Sequence, residues 1–202
     1  MVLDIRGVRI GWGITGSHCS YEEVLPQIEC LIKAGAQVQA VISPAVAQTD
    51  TRFGKAADLI ERVTQLTGLK PLATIAEVEP AGQKKEYDCF LVAPCTGNTL
   101  AKLIAGITDT AVLMACKGTL RNLQPVVLAI STNDALGNNA RNIGMLLGTR
   151  NIFLVPLGQD NPTAKPGSCV ADFSLIPDTI IAALKGCQLQ PVLRERRKRE
   201  VR

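Results

Sequence analysis

Two short polar loops, Thr15-Gly16-Ser17-His18-Cys19-Ser20 and Pro94-Cys95-Thr96-Gly97-Asn98-Thr99, each combine hydroxyls with a glycine and lie about eighty residues apart. Each follows an apolar run, residues 8–12 in the first case and 89–93 in the second, and each opens a segment with helical spacing. A strand-to-helix junction aims free backbone N–H groups and short hydroxyls at one spot, where the positive end of the helix dipole also lies. Such a spot favours a phosphate. Two of them in one chain point to a nucleotide-like cofactor at neighbouring strand ends.

The first loop also completes Gly11-Trp12-Gly13-Ile14-Thr15-Gly16, a formal match to G-x-G-x-x-G. The dinucleotide fingerprint further requires a carboxylate at the end of the second strand, to hold the ribose hydroxyls. Here that strand ends Ala40-Val41-Ile42-Ser43-Pro44, with no carboxylate before Asp50. The Ser43 hydroxyl suits a phosphate better than a ribose. A phosphate-bearing mononucleotide is therefore the first reading, with a dinucleotide or a plain tight turn as alternatives.

His18 is the only imidazole in the chain. Facing a phosphate, it would donate a hydrogen bond and gain positive charge; otherwise it points to solvent or caps its own backbone. In the second loop Pro94 is expected to stop the strand. One of Thr96, Asn98 and Thr99 would suffice to cap the next helix, so the surplus offers donors to ring heteroatoms or a substrate carboxylate. A third cluster, Ser131-Thr132-Asn133-Asp134, follows the apolar run 125–130 and would close a pocket on the same sheet edge. Asn138, Asn139, Arg141 and Asn142 are read as the polar face of a helix. Asp109 and Asp134 are candidate carboxylates by position only. With one His, placed in a phosphate-type loop, no Ser or Cys triad can be assembled, so chemistry would come mainly from a cofactor. The seven cysteines show no C-x-x-C spacing, which with the single His excludes the usual zinc sites. Cys19 and Cys95 alone lie where they could face a ligand.

The elements that must position these loops alternate regularly. Strands are predicted at residues 8–12, 37–43, 89–93, 125–130 and 151–155. Helical stripes are predicted from residue 21 to 32, with Pro26 causing a kink or a later start, and then at 55–66, 100–107, 111–120, 135–147 and 176–184. Residues 69–85 and 158–167 read as irregular connections. Five strands alternating with helices imply right-handed crossovers and a doubly wound parallel sheet, a flavodoxin- or Rossmann-like three-layer α/β/α fold. Its ligand crevice lies beyond the carboxyl ends of the strands.

At 202 residues, with 47% hydrophobic and 3% aromatic content, one domain with an aliphatic core is expected, burying ~70% of its unfolded surface. Its span is taken as 1–193, followed by a basic, disordered tail at 194–202. That tail holds six Arg or Lys against two Glu, which accounts for the whole net charge of +4. The body is neutral by count, so no nucleic-acid-binding face is expected. No run approaches the ~20 apolar residues of a membrane span. The N-terminal stretch lacks signal-peptide form, and the cytoplasm is the expected location.

Taken together, the loops resemble those of the flavoprotein family that includes the homo-oligomeric flavin-containing cysteine decarboxylases. In that family a Gly-Ser loop after the first strand holds the FMN phosphate, matched here by Gly16-Ser17. The family motif Pro-Ala-Ser-Ala-Asn-Thr aligns with Pro94-Cys95-Thr96-Gly97-Asn98-Thr99, and its Pro-x-Met-Asn segment is matched only by Asn133. Gly16-Ser17-His18-Cys19, Thr51-Arg52-Phe53-Gly54, Ser131-Thr132-Asn133-Asp134-Ala135-Leu136-Gly137 and Asn151-Ile152-Phe153 narrow the likeness to one branch. It covers nearly the whole chain to about residue 193.

That branch is the flavoprotein-like component of a two-component synthase of spore-forming bacteria. The synthase oxidises a dihydro precursor to an aromatic pyridine dicarboxylate. The resemblance implies FMN, a dicarboxylate substrate and a homo-oligomer of three copies or a multiple. It also implies a partner protein similar to a pyridine-nucleotide dehydrogenase, bringing NAD(P). Thr15, Gly16, Ser17 and His18, with Ser43, would hold the phosphate. Pro94, Thr96, Gly97, Asn98 and Thr99 would meet the isoalloxazine edge or the substrate carboxylates, with Asn98 the candidate catalytic residue. Ser131, Thr132 and Asn133 would close the site. The decarboxylases' His near the end of the second αβ unit has no counterpart, because no His follows Ser20. Redox or assembly work is thus favoured. The alternatives are an FMN-dependent decarboxylase and a non-catalytic assembly subunit.

Overall fold

The computed structural model describes residues 5–194. Five strands, β1 (Arg9–Ile14), β2 (Gln37–Ile42), β3 (Cys89–Cys95), β4 (Val126–Thr132) and β5 (Ile152–Leu154), lie parallel in the order β2-β1-β3-β4-β5. Parallel strands covered on both faces read as continuous aliphatic runs; β3 accordingly buries every residue from Cys89 to Cys95. Leu91 and Ala93 face one core, Phe90 and Val92 the other, as the period of two requires.

The first core is closed by α1 (Tyr21–Lys33), the short α2 (Pro44–Gln48), α3 (Ala56–Thr67) and, from the far end of the chain, α8 (Ile176–Leu184). The second is closed by α4 (Ile75–Lys84), α5 (Gly97–Ile104), α6 (Ala111–Arg121) and α7 (Ala140–Leu147). This is the expected doubly wound, three-layer α/β/α architecture. None of its described helices is long and apolar enough to cross a membrane.

Gly11 and Gly13 lie inside β1 rather than in a turn. A Cβ on Gly11 would stand 2.4 Å from the Phe90 ring, and one on Gly13 2.9 Å from Val112 of α6. Gly13 therefore lets α6 pack closely on the sheet, and Gly11 makes room for the Phe90 ring of β3. The G-x-G spacing does not form a dinucleotide loop.

Several expectations are corrected. Pro94 does not stop β3, which runs on to Cys95. Pro26 lies inside α1, which starts at Tyr21 after a 3-10 turn at His18–Ser20. Residues 69–85 contain α4, begun by a capping box in which the Thr74 hydroxyl accepts from Glu77 N–H and the Glu77 carboxylate from Thr74 N–H. Helix α7 begins at Ala140 instead of residue 135, because Gly137 and Asn139 donate backward to the Asp134 carbonyl in turns.

The largest correction concerns residues 158–167. They belong to an antiparallel hairpin of β6 (Leu157–Asn161) and β7 (Lys165–Ala171), so the sheet has seven strands and is parallel only in its main body. Strand β4 is forked. Its lower half, Val126–Leu128, pairs with β5; its upper end, Ser131 and Thr132, pairs with β7. Arg194, the first residue of the basic tail, pairs with Asp172 at 3.3 Å. The expected disorder of the tail otherwise concerns residues 195–202, outside the described residues.

Candidate functional site

The carboxyl ends of β1, β3 and β4 meet at one edge of the sheet. Around them lies a cavity of about 510 Å³, within the ~300–1,000 Å³ of ligand pockets. Gly16, Ser17, His18, Cys19 and Ser20 line it from the loop after β1, Thr96 from the loop after β3, and Ser131, Thr132 and Asn133 from the end of β4. The β6–β7 hairpin adds Asp160, Lys165, Ser168 and Val170 from the opposite wall, and Glu23 and Phe53 complete it.

Hydroxyls form the floor. Ser131 Oγ lies 2.8 Å from Ser17 Oγ and 2.9 Å from Ser20 Oγ, and the two loop serines are 3.2 Å apart. Below them Thr15, buried, joins two loops: its hydroxyl donates to the Pro94 carbonyl at 2.6 Å and accepts from Thr96 N–H at 3.1 Å. The indole N–H of Trp12 donates to Ala93 O at 2.8 Å, and the Tyr21 hydroxyl to Thr15 O at 3.1 Å. Separate strand ends are thereby fixed relative to one another by short, mostly buried bonds, which such an environment strengthens.

His18 turns its ring edge toward Tyr21, with centroids 5.2 Å apart. Partial burial lowers its pKa below the ordinary imidazole value, so near neutral pH it offers a hydrogen bond rather than a full charge. The ammonium in this cavity belongs to Lys165, 3.4 Å from the Asp160 carboxylate and more than half exposed.

Of the expected site residues, Gly16, Ser17, His18, Thr96, Ser131, Thr132 and Asn133 are brought together at the cavity, with Thr15 and Pro94 directly beneath. The other four lie neither in its lining nor directly beneath it. Ser43 is buried at the start of α2, and its hydroxyl has no partner among the described residues. Thr99 is buried, 3.0 Å from Thr96 through their hydroxyls, while Thr96 caps α5 by accepting from Thr99 N–H. Asn98 is exposed on the first turn of α5. Gly97 lies against Asp134, whose carboxylate accepts from Thr132 Oγ1 at 2.6 Å and Asn139 Nδ2 at 2.8 Å. These bonds hold the Asp134 pKa below the usual carboxylate range. Asn139 and Asn142 are buried and bonded to each other at 2.8 Å; they are not the solvated helix face their spacing suggested. Cys95 is fully buried outside the cavity lining, and Cys19 is exposed at the cavity.

Ser20, Lys165 and Ser168 line the cavity without having been expected there. Ser20 closes the same hydroxyl-rich run as Ser17, which was the available signal. The hairpin residues gave none locally, because only the tertiary pairing of β7 with β4 brings them near.

Residues 3–159 match the family described as Flavoprotein. This chain belongs to the flavoprotein family. As a flavoprotein it is 51% identical to the B subunit of dipicolinate synthase from Bacillus subtilis (strain 168), over 95% of its length and 96% of that relative. Its fold superposes on the crystal structure of the same dipicolinate synthase component from Bacillus halodurans C with a TM-score of 0.87 and 48% identity, covering 95% of this chain and 98% of that one. Likeness to the FMN-dependent cysteine decarboxylase SpaF, at 20% identity and a TM-score of 0.61 over 91% of this chain and 99% of that one, is one of fold.

Proposed function

We propose that this flavoprotein is the B subunit of a dipicolinate synthase, binds FMN in the 510 Å³ cavity, and acts with the A subunit to oxidise a dihydrodipicolinate-type intermediate to dipicolinate. The observation that carries the reading is the hydroxyl floor of Ser17, Ser20 and Ser131, set where three strand ends converge in a chain half identical to the Bacillus subtilis protein of that name.

The residues fit a phosphate-bearing group. Each serine hydroxyl can rotate from its neighbour toward an anion. Gly16 keeps the loop free of a side chain that would stand 3.4 Å from Ala45 Cβ and 3.7 Å from His18 Nε2. Bound FMN would supply a two-electron acceptor for aromatisation.

Around it the protein's own residues bind and orient. Ser17, Ser20 and Ser131 would donate to the phosphate, and His18 would add a neutral N–H; Ser43, buried outside the cavity lining, would not reach it. Thr15 holds the loops after β1 and β3 at fixed separation. Thr132 and Asn133 would meet the flavin ring, while Thr96 lines the cavity with its hydroxyl kept on α5. Asn98 is the proposed contact to the substrate at the outer rim, on the same α5 turn that Gly97 packs and Thr99 helps cap. Lys165 supplies positive charge from the hairpin. NAD(P), in this reading, is the province of the companion protein, and assembly into a homo-oligomer accompanies it.

Purified chain titrated with FMN tests the proposal. A bound yellow flavin, together with dipicolinate formation once the companion protein is added, is the expected result. A chain that takes up no FMN overturns the flavin reading. Full synthase turnover in Ser17→Ala and Asn98→Ala variants would leave it only an assembly role.

A further inference from the structure

A helix that turns back toward the sheet often ends on a residue at positive φ, a position that glycine fills at least cost. Gly35, Gly68, Gly106 and Gly186 fill it after α1, α3, α5 and α8, with φ from +71° to +93°. Helices α4 and α6 depart from this usage. Lys85 follows α4 at φ +53°, and Leu123 follows α6 at φ +61°. Leu123 N–H donates to Leu120 O at 2.9 Å and Gln124 N–H to Thr119 O at 3.1 Å, closing the helix where a Cβ is least welcome. Both side chains are exposed, that of Leu123 by 67%. Strain accepted where the same chain elsewhere uses glycine points to a use for the side chain.

The two helix ends lie side by side. Helices α4 and α6 meet backbone to backbone, where a Cβ on Gly118 would stand 2.9 Å from Gly82 Cα, and Asn122 Nδ2 donates to Gly82 O at 2.7 Å. Phe90 N–H donates to Pro125 O at 3.0 Å and Val126 N–H to Asn151 O at 2.8 Å, so the segments entering β3, β4 and β5 are tied together. In strand order, Leu123 stands between Lys85 and Arg150. Lys85, Arg121 and Arg150 are exposed and hold no ion pair among the described residues. The carboxylates of these segments are taken, Glu86 by Lys84 and Asp88 by Arg9. A helix C-terminus favours cations by itself, but that accounts for no leucine.

Resting on the reading above, and deepening it, we infer that this end of the sheet docks the A subunit, through an acidic surface with an apolar socket for Leu123. Protein interfaces set an apolar centre inside a polar rim, whereas a leucine offers nothing to a phosphate backbone. Two copies of this chain meeting here about a two-fold axis would set cation against cation. The surface lies where the strands begin, and the 510 Å³ cavity lies where they end. Docking and flavin uptake are therefore separable.

The test is calorimetric titration of the full chain with the purified A subunit at low and high salt, with FMN uptake followed separately by absorbance. Leu123→Gly removes the side chain and relieves the backbone, so its Tm should stay near the parent's. Its affinity for the A subunit should nevertheless fall about tenfold, the worth of one buried leucine. Lys85→Gln and Arg121→Gln should each weaken binding about threefold at low salt and less at high salt, where rim charges are screened. FMN uptake should be unchanged in all three. Parent affinity in the Leu123→Gly, Arg121→Gln double variant overturns the inference, as does a parent chain that does not bind the A subunit, or one that uses these residues to bind duplex DNA instead. Dipicolinate formation by a double variant of parent affinity would keep the proposed function and sink this surface. Leu123-dependent docking in a chain refusing FMN would keep the surface and sink the flavin reading.

Discussion

The loop after β1 and the loop after β3 lie side by side at one sheet edge and are built from the same residue types, but their polar groups have different employment. In the first, α1 is preceded by a 3-10 turn, and neither Ser17 nor Ser20 makes a side-chain capping bond. Their hydroxyls meet Ser131 at the cavity floor instead. In the second, α5 starts inside the loop. Thr96 caps it, Thr99 bonds to Thr96, and Gly97 is pressed against the Asp134 network. A hydroxyl engaged by its own helix has little capacity for a ligand; one bonded only to other hydroxyls can rotate toward one.

Four measurements break or sharpen that contrast. Gly97→Ala should have the largest effect, because its Cβ would stand 2.4 Å from Asn139 Nδ2, 2.7 Å from Thr132 Oγ1 and 2.9 Å from Asp134 Oδ1. Overpacking of this kind costs about 2–3 kcal/mol, or a Tm about 4–12 °C lower by calorimetry. A Tm equal to the parent's would mean that the second loop is not packed as described.

Ser131→Ala comes next. Removing the hydroxyl common to both loop serines should raise the Kd for FMN about tenfold, the worth of about 1–1.5 kcal/mol, while Tm moves little. Fluorescence quenching of free flavin reports it. Thr96→Val should do the reverse: loss of the cap costs about 1 kcal/mol, and Tm falls about 2–4 °C with the Kd for FMN within about threefold. If Thr96→Val abolished flavin binding and Ser131→Ala spared it, the division of labour between the loops would be wrong.

The smallest effect concerns the chain's only imidazole, whose proton resonance is therefore unambiguous. Its folded pKa lies below the ordinary value because burial disfavours the charged form. Below about pH 6.5 the unfolded chain takes up this proton more readily than the folded one, so stability declines as pH falls through that region. NMR titration should give a value under the ordinary imidazole's in the free chain and a higher one with FMN bound, since a nearby phosphate favours the cation. His18→Gln should flatten the decline. An imidazole pKa unmoved by FMN would place His18 away from the phosphate.

The sheet, its helices and the three-loop site were legible because they rest on local signals: aliphatic runs, three-and-four spacing, and polar residues directly after strands. What escaped depended on distance along the chain or on conflicting cues. Thr74 and Glu77 carried a capping box, but Pro80 and Gly82 argued against the helix they begin. Asn139 and Asn142 read as a wet face because nothing nearby announced that Asp134 and Gly97 would cover them. The hairpin residues gained meaning only when β7 reached back to β4, some forty residues earlier by register with Ser131 and Thr132.

The fork in β4 divides labour along a single strand. Where it lies beside β5 it belongs to the parallel frame; where it turns to β7 it becomes one wall of the cavity. Hairpins of this kind can lengthen or change composition while the parallel strands beneath keep their register. A rebuilt hairpin would change which molecule the cavity admits, and Ser131, which pairs with Val170 of β7, joins that hairpin to the floor.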